Sequence, residues 1–224
     1  MLEKIALKYK VEHDNKDRGG DKGTQGQDYL ELYEELFEPL KTKDINFLEI
    51  GVFQGKSLAL WSEYFEKAHI WGADLDLTRY NCKYKSLVNI GAFPNPELIH
   101  TVVMNSKDKK NIECCNLPKF DVILDDGDHE GSSQKETFLN LFYDYLKPGG
   151  IYIVEDTHPN DSFKFFNEMT EHLHSFGKDH RPFCQTLGRE NIKKRIQRSN
   201  DKILRYVRSI LFIRRRIVIT KNSF

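Results

Sequence analysis

A chain of 224 residues with 39% hydrophobic content, fifteen Phe and ten Tyr has the apolar surface for one sizeable core, which excludes a disordered chain. No uninterrupted apolar run approaches the roughly 20 residues of a membrane span, so a transmembrane protein is not expected. Net charge is zero, yet residues 178–224 hold fourteen Lys or Arg against Asp179, Glu190 and Asp201, which leaves +11 at this end and −11 over the rest. Such a run is ordinarily a solvated face, and it also suits phosphates, acidic glycans or anionic lipid.

The start, Met1-Leu2-Glu3-Lys4, lacks the apolar core of a secretory signal. Cys82, Cys114, Cys115 and Cys184 show neither CxxC spacing nor a disulfide framework, so a reducing cytoplasm is the expected compartment. After a polar, Gly-rich stretch at 15–27, Tyr29, Leu30, Tyr33, Leu36 and Phe37 recur at helical spacing up to Pro39. Phe47-Leu48-Glu49-Ile50 then reads as a buried strand, Ser57 to Ala68 as a helix and Ile70-Trp71-Gly72-Ala73 as a second strand. Leu98 to Val103, Phe120 to Leu124 and Ile151 to Val154 repeat the strand pattern. Gln134 to Leu146 is strongly helical, and Lys147-Pro148-Gly149-Gly150 is expected to end that helix and turn the chain. Tyr206 to Ile213 and Ile217 to Thr220, separated by Arg214-Arg215-Arg216, read as a closing antiparallel hairpin. The alternation predicts an α/β fold, a mostly parallel sheet with helices on both faces. One domain is expected, with a helical cap or lid at 1–44 and the core at 45–224.

In an open α/β sheet, ligands bind beyond the carboxyl ends of the strands. After the first strand come Gly51 and Gly55, which let the backbone turn tightly and approach a ligand. Their GxxxG spacing lacks the GxGxxG dinucleotide fingerprint, which counts against a dehydrogenase. After the second strand comes Asp74, where a carboxylate can accept hydrogen bonds from both hydroxyls of a cofactor ribose; a helix cap or a surface acid is the plainer alternative. After the fourth strand stands Asp125-Asp126-Gly127-Asp128-His129, and after the fifth Glu155-Asp156-Thr157-His158. Five acids at two neighbouring strand ends repel one another unless protons or a cation neutralise them, and oxygen-rich donors suit Mg²⁺, Mn²⁺ or Ca²⁺ rather than zinc. One N-cap per helix is ordinary; two or three acids at each strand end are not.

These residues, together with Asp21-Lys22-Gly23-Thr24, Tyr29, Tyr33, Leu48-Glu49-Ile50-Gly51-Val52, Ser57, Gly72-Ala73-Asp74-Leu75-Asp76 and Leu146-Lys147-Pro148-Gly149-Gly150, resemble a known group. It comprises the metal-dependent sugar O-methyltransferases related to rhamnosyl and macrolide-sugar O-methyltransferases, with cephalosporin hydroxylase-like proteins as relatives. The resemblance implies the Rossmann-like class I methyltransferase fold with seven strands, S-adenosylmethionine as cofactor and Mg²⁺ or another hard divalent cation. It implies cofactor contacts at Glu49, Gly51, Ser57 and Asp74, with the segment of Lys22 and Tyr29 closing over the cofactor. Gly55, Asn105 and Asp125 complete the expected cofactor set. Asp126, Glu155 and Asp156 would hold the metal, and His129 would be the general base. Asp128 stands where the group usually has Ser, and Met104-Asn105-Ser106 where it usually has Gly-Asp-Gln.

The activity so implied is metal-assisted methyl transfer to a hydroxyl of a sugar or glycoconjugate, which the basic tract would suit if the acceptor were anionic. A catechol-type or nucleic-acid methyltransferase and a non-catalytic cofactor-binding protein are the alternatives. Nucleic acid is the less expected partner, because base methylation needs no carboxylate-rich metal site and those acids repel phosphates. Homo-oligomerisation is left open.

Overall fold

The computed structural model describes residues 1–11, 22–23, 28–158, 161–175 and 201–223. Seven strands form one sheet: β1 (Asn46–Ile50), β2 (His69–Asp74), β3 (Ile99–Val103), β4 (Phe120–Asp125), β5 (Leu146–Val154), β6 (Val207–Ile213) and β7 (Arg216–Lys221). Their order is β3-β2-β1-β4-β5-β7-β6. Strands β1 to β5 run parallel, and β7 is antiparallel to both β5 and β6. The expected Rossmann-like sheet with its C-terminal antiparallel hairpin is therefore present.

The strands are apolar on both sides because both sides are covered. Phe47, Val122, Leu124, Ile153 and Val218 share one core with buried residues of α1 (Leu2–Tyr9), α2 (Leu30–Phe37), α3 (Lys56–Tyr64) and α4 (Thr78–Asn89). The alternate residues Leu48, Ile123, Tyr152, Val154, Ile217 and Ile219 share the other with α5 (Lys109–Cys114), α6 (Gly131–Leu141), α7 (Asp161–Ser175) and the short α8 (Asp201–Leu204). Helix α1 was not foreseen as a separate element. Its Leu2, Ile5, Ala6 and Tyr9 recur at i, i+3, i+4 and i+7 and are all buried.

Two element boundaries differ from expectation. Helix α3 ends at Tyr64 because Phe65 turns extended, at φ −91° and ψ 124°, and puts its ring against Tyr64 in the core. Helix α6 ends at Leu141, and Leu146 already pairs with Phe120 before Ile151 pairs with Val122. Lys147-Pro148-Gly149-Gly150 is thus a bulged start to β5, not a turn that ends the helix. Buried Lys221 of β7 secures this junction by donating to the carbonyls of Phe142, Tyr143 and Leu146 at 3.0, 2.8 and 2.6 Å. Residues 178–200 of the basic tract, Asp21, Thr24 and Cys184 lie outside the described residues. Among the described residues no helix is long and apolar enough to cross a membrane.

Candidate active site

The sheet changes direction of winding between β1 and β4, and the loops that leave these two strands diverge there. A cleft of ≈ 400 Å³ opens at this point, lined by Gly51 to Gln54, Asp74, Asn105 and Asp125 to His129 among others. That volume lies in the range of small-molecule sites. Gly51, at φ +92°, lets the two loops touch: a Cβ there would sit 2.0 Å from the carbonyl oxygen of Asp126. Gly55, at φ +78°, opens α3, and a Cβ on it would meet the Tyr80 ring at 2.4 Å.

Asp74, at the end of β2, braces the first loop. Its Oδ2 accepts from the backbone N–H of Val52 at 2.9 Å and of Phe53 at 3.0 Å, and its Oδ1 from Asp76 N at 3.2 Å. The loop is thereby held open toward the cleft, and the half-buried carboxylate still lines it. Asn105 lines the cleft beyond β3, with its Oδ1 accepting from Lys107 N at 3.1 Å.

Behind the cleft lies a buried ionic cluster. The Lys22 ammonium donates to Asp126 Oδ2 at 2.6 Å and to Glu155, and stands 3.8 Å from Glu49 Oε1. Tyr33 donates to the other oxygen of Glu155, and Ser57 to Glu49 Oε2 at 2.8 Å. Burial alone would lower the Lys22 ammonium, but the charges of Asp126, Glu155 and Glu49 hold it well above its ordinary value. Burial pushes Glu49 up to about 7 against the pull of Lys22, and Asp126 likewise to about 7. Burial and then the Asp126 charge push Glu155 up to about 8, and burial pushes Asp125 up to about 7. One ammonium does not neutralise three carboxylates, so the cluster favours added protons or an added cation.

In front of it, Asp126, His129 and Asp156 bring ligating atoms within 4.8 Å of one another, a grouping that suits a divalent cation. His129 Nδ1 is buried, has no hydrogen-bond partner and faces Asp156 Oδ2 at 3.9 Å. An unpartnered buried nitrogen beside two carboxylates fits a site built to receive a cation or a proton.

Several of the expected site residues bond to one another. Glu155, expected on the metal beside Asp126 and Asp156, shares the Lys22 ammonium with Asp126 and accepts from Tyr33 on its other oxygen. Tyr29, expected to close over the cofactor, is fully buried; it donates to Asp156 Oδ1 at 2.5 Å and does not line the cleft. Glu49 and Gly55 also do not line it, and act beneath the loop by holding Ser57 and by admitting Tyr80. Lys22, Gly51, Ser57, Asp74, Asn105 and Asp125 do line it. Asp128 turns from the acids: Ser133 at 2.8 Å, Glu130 N at 3.1 Å and Lys107 at 3.2 Å bind it. Burial opposes its charge, but those bonds hold its carboxyl below the usual value. The parts played by Tyr33 and Arg215 were not foreseen; Arg215 Nη2 reaches within 3.5 Å of Asp156 Oδ1.

Residues 48–157 match the model of the methyltransferase domain family. The chain is 30% identical over 138 residues to the 8-demethyl-8-α-L-rhamnosyl tetracenomycin-C 2'-O-methyltransferase of Streptomyces olivaceus, covering 57% of this chain and 32% of that protein. It is 28% identical over 134 residues to the mycinamicin VI 2''-O-methyltransferase of Micromonospora griseorubida, covering 55% and 30%. The chain thus spans about a third of the length of these curated relatives. Among solved structures it resembles the MycE methyltransferase of the mycinamycin biosynthetic pathway, in complex with Mg and SAH. The TM-score is 0.72 at 17% identity, over 99% of this chain and 54% of that one. The matched residues run from within β1 to just past β5, and their two ends bracket the Gly51 loop and the Glu155-Asp156 pair.

Proposed function

We propose that the chain transfers a methyl group from S-adenosylmethionine to a hydroxyl of a sugar or glycoconjugate, with a hard divalent cation held beside the cleft. The observation that carries this reading is the juxtaposition, in one cleft, of the Gly51 loop braced by Asp74 with the group Asp126, His129 and Asp156. The relatives that share about 30% identity are named as sugar O-methyltransferases, and the MycE structure is described with Mg and SAH, which supports the same assignment.

When bound, the cofactor supplies an electrophilic methyl group and the cation supplies positive charge that eases deprotonation of a nearby hydroxyl. The chain's own residues do the rest. Gly51 keeps the loop backbone bare of a side chain, and Asp74 offers its remaining acceptor capacity to the ribose hydroxyls. Asp126 and Asp156 would hold the cation. Glu155 works one step behind, fixing Lys22 and through it the orientation of Asp126. His129 lines the cleft with one ring nitrogen turned toward Asp156, and would take the proton of the acceptor hydroxyl. A base so placed contributes about 10²–10⁴-fold in rate.

Calorimetric titration with S-adenosylhomocysteine, with and without chelator, tests the assignment of the cleft. One-to-one binding that survives EDTA is expected, because the Gly51 loop is held by the Asp74 carboxylate and not by the side chains of Asp126 and Asp156. Absence of binding under both conditions would overturn it.

A further inference from the structure

The β6–β7 turn consists of Arg214 and Arg215 and closes onto the acid group. Arg215 has φ +59°, the left-handed backbone that favours glycine. A non-glycine residue keeps such a conformation where its surroundings fix it. Here the turn is also pinned. Thr157 N donates to Arg215 O at 2.9 Å. The next residue, Arg216, is buried, lies over the Tyr29 ring at 4.3 Å and donates to Tyr29 O at 3.2 Å.

Three non-glycine residues with positive φ therefore meet at one place: His129 at 58°, Asp156 at 51° and Arg215 at 59°. The first two belong to the candidate metal group, and the third sets a guanidinium 3.5 Å from Asp156 Oδ1 and 3.4 Å from His158 Nε2. Both distances are long for a charge-assisted pair, and Asp156 Oδ1 already accepts the Tyr29 hydroxyl at 2.5 Å. The guanidinium, with its side chain 31% exposed, thus holds neither neighbour in a close two-pronged bond. A cation on Asp156 would loosen it further from that carboxylate.

We propose that Arg215, with exposed Arg214 beside it, is an anion subsite outside the cleft's lining and across Asp156 from it, and that the acceptor is a glycoside bearing a carboxylate or phosphate group. This rests on the function proposed above. A planar guanidinium matches either oxyanion with two parallel hydrogen bonds. Arg215 stands at Asp156 Oδ1 and His129 at Oδ2, so an anion held by the guanidinium lies across Asp156 from the base and orients an acceptor that reaches past this carboxylate.

The test uses the full chain saturated with S-adenosylhomocysteine and Mg²⁺ at constant ionic strength. Sulfate, methyl β-D-glucoside, methyl β-D-glucuronoside and methyl β-D-glucoside 6-phosphate are titrated in turn by calorimetry. The variants are Arg215→Gly, which relieves the positive-φ strain while removing the guanidinium, and Arg215→Gln. Expected is sulfate binding by the native chain that weakens at least ten-fold in both variants, with one of the two anionic glycosides following sulfate and the neutral glucoside indifferent. The Gly variant should melt no lower than the native chain. Which anionic glycoside follows sulfate separates a uronate from a sugar phosphate. Sulfate that fails to bind the native chain, or binds the variants equally well, overturns the subsite. A lower melting temperature for Arg215→Gly would also overturn it, since Arg215 would then be a structural partner of Asp156. Loss of S-adenosylhomocysteine binding itself would instead count against the methyltransferase reading, which keeps the two failures apart.

Discussion

Gly51→Ala tests how the cleft is built, because Gly51 faces two separate constraints that a second glycine divides. Its φ of +92° strains any L-residue, which costs about 1–2 kcal/mol. The added Cβ would also sit 2.0 Å from the Asp126 carbonyl oxygen, well over an ångström inside ordinary contact, and against the backbone of Asp126 and Gly127, which cannot swing aside as a side chain can. The β1 and β4 loops must then part, and a displacement of about 1 Å between reacting groups costs on the order of 10²-fold in rate. Gly91 is the control: at φ +83° its nearest neighbour to an added Cβ is the flexible end of Lys8 at 3.6 Å. Denaturant unfolding and calorimetry with S-adenosylhomocysteine should find Gly91→Ala destabilised by about 1–2 kcal/mol with unchanged affinity. Gly51→Ala should lose more stability and at least ten-fold in affinity. Equal cofactor affinity in the two variants would refute the claim that contact between these loops shapes the cleft.

Asp74→Ala removes the acceptor that holds the Val52 and Phe53 amides, so it should both weaken S-adenosylhomocysteine binding, by about 2–4 kcal/mol for charge-assisted bonds, and lower the melting temperature. Unchanged affinity would move the ribose contact elsewhere, with Asp76 the next candidate. His129→Ala should leave metal affinity nearly intact while turnover falls about 10²–10⁴-fold, whereas Asp126→Asn should raise the metal concentration needed for activity. If His129→Ala abolishes metal binding, the imidazole is a ligand, as its place in the three-residue group permits. Burial raises Glu49 from 4.5 to about 7, so its contribution to stability is present in full below about pH 4.5 and is lost as pH rises through 7. Glu49→Gln should gain on the native chain by on the order of 3 kcal/mol between pH 4.5 and 8, and parallel unfolding curves would place that proton elsewhere.

The strands and the residues that follow them were legible because buried parallel strands are short apolar runs and ligands gather at their carboxyl ends. Gly51, Asp74 and the acids after β4 and β5 could be placed from that rule alone. Helix α1 carried its signal in Leu2, Ile5, Ala6 and Tyr9 but is only eight residues long, too short for periodicity to stand out. Lys147-Pro148-Gly149-Gly150 has the composition of a turn, yet pairing with β4 and β7 draws it into β5, a tertiary effect that local propensity does not report.

The site was harder to read than the fold for a related reason. That Lys22 would occupy Glu155 depends on a contact across 133 residues, and that Arg216 would be buried depends on a Tyr29 ring 187 residues away. Read from the sequence, Arg214, Arg215 and Arg216 form one basic run. In the fold they are an exposed side chain, a half-buried one near Asp156 and a buried one against the Tyr29 ring. The turn sets Arg214 and Arg215 apart from Arg216 at the start of β7, and only the register with β5 and the packing of α2 decide which residue takes which place.

The most direct test of the account is transfer of label from methyl-labelled S-adenosylmethionine to a panel of neutral and anionic glycosides, with Mg²⁺ or with EDTA. The account predicts a labelled sugar methyl ether with Mg²⁺ and a loss of at least 100-fold in chelator, while S-adenosylhomocysteine still binds. Undiminished transfer in chelator would contradict the role given to Asp126 and Asp156, and cofactor binding without transfer to any glycoside would contradict the reaction itself.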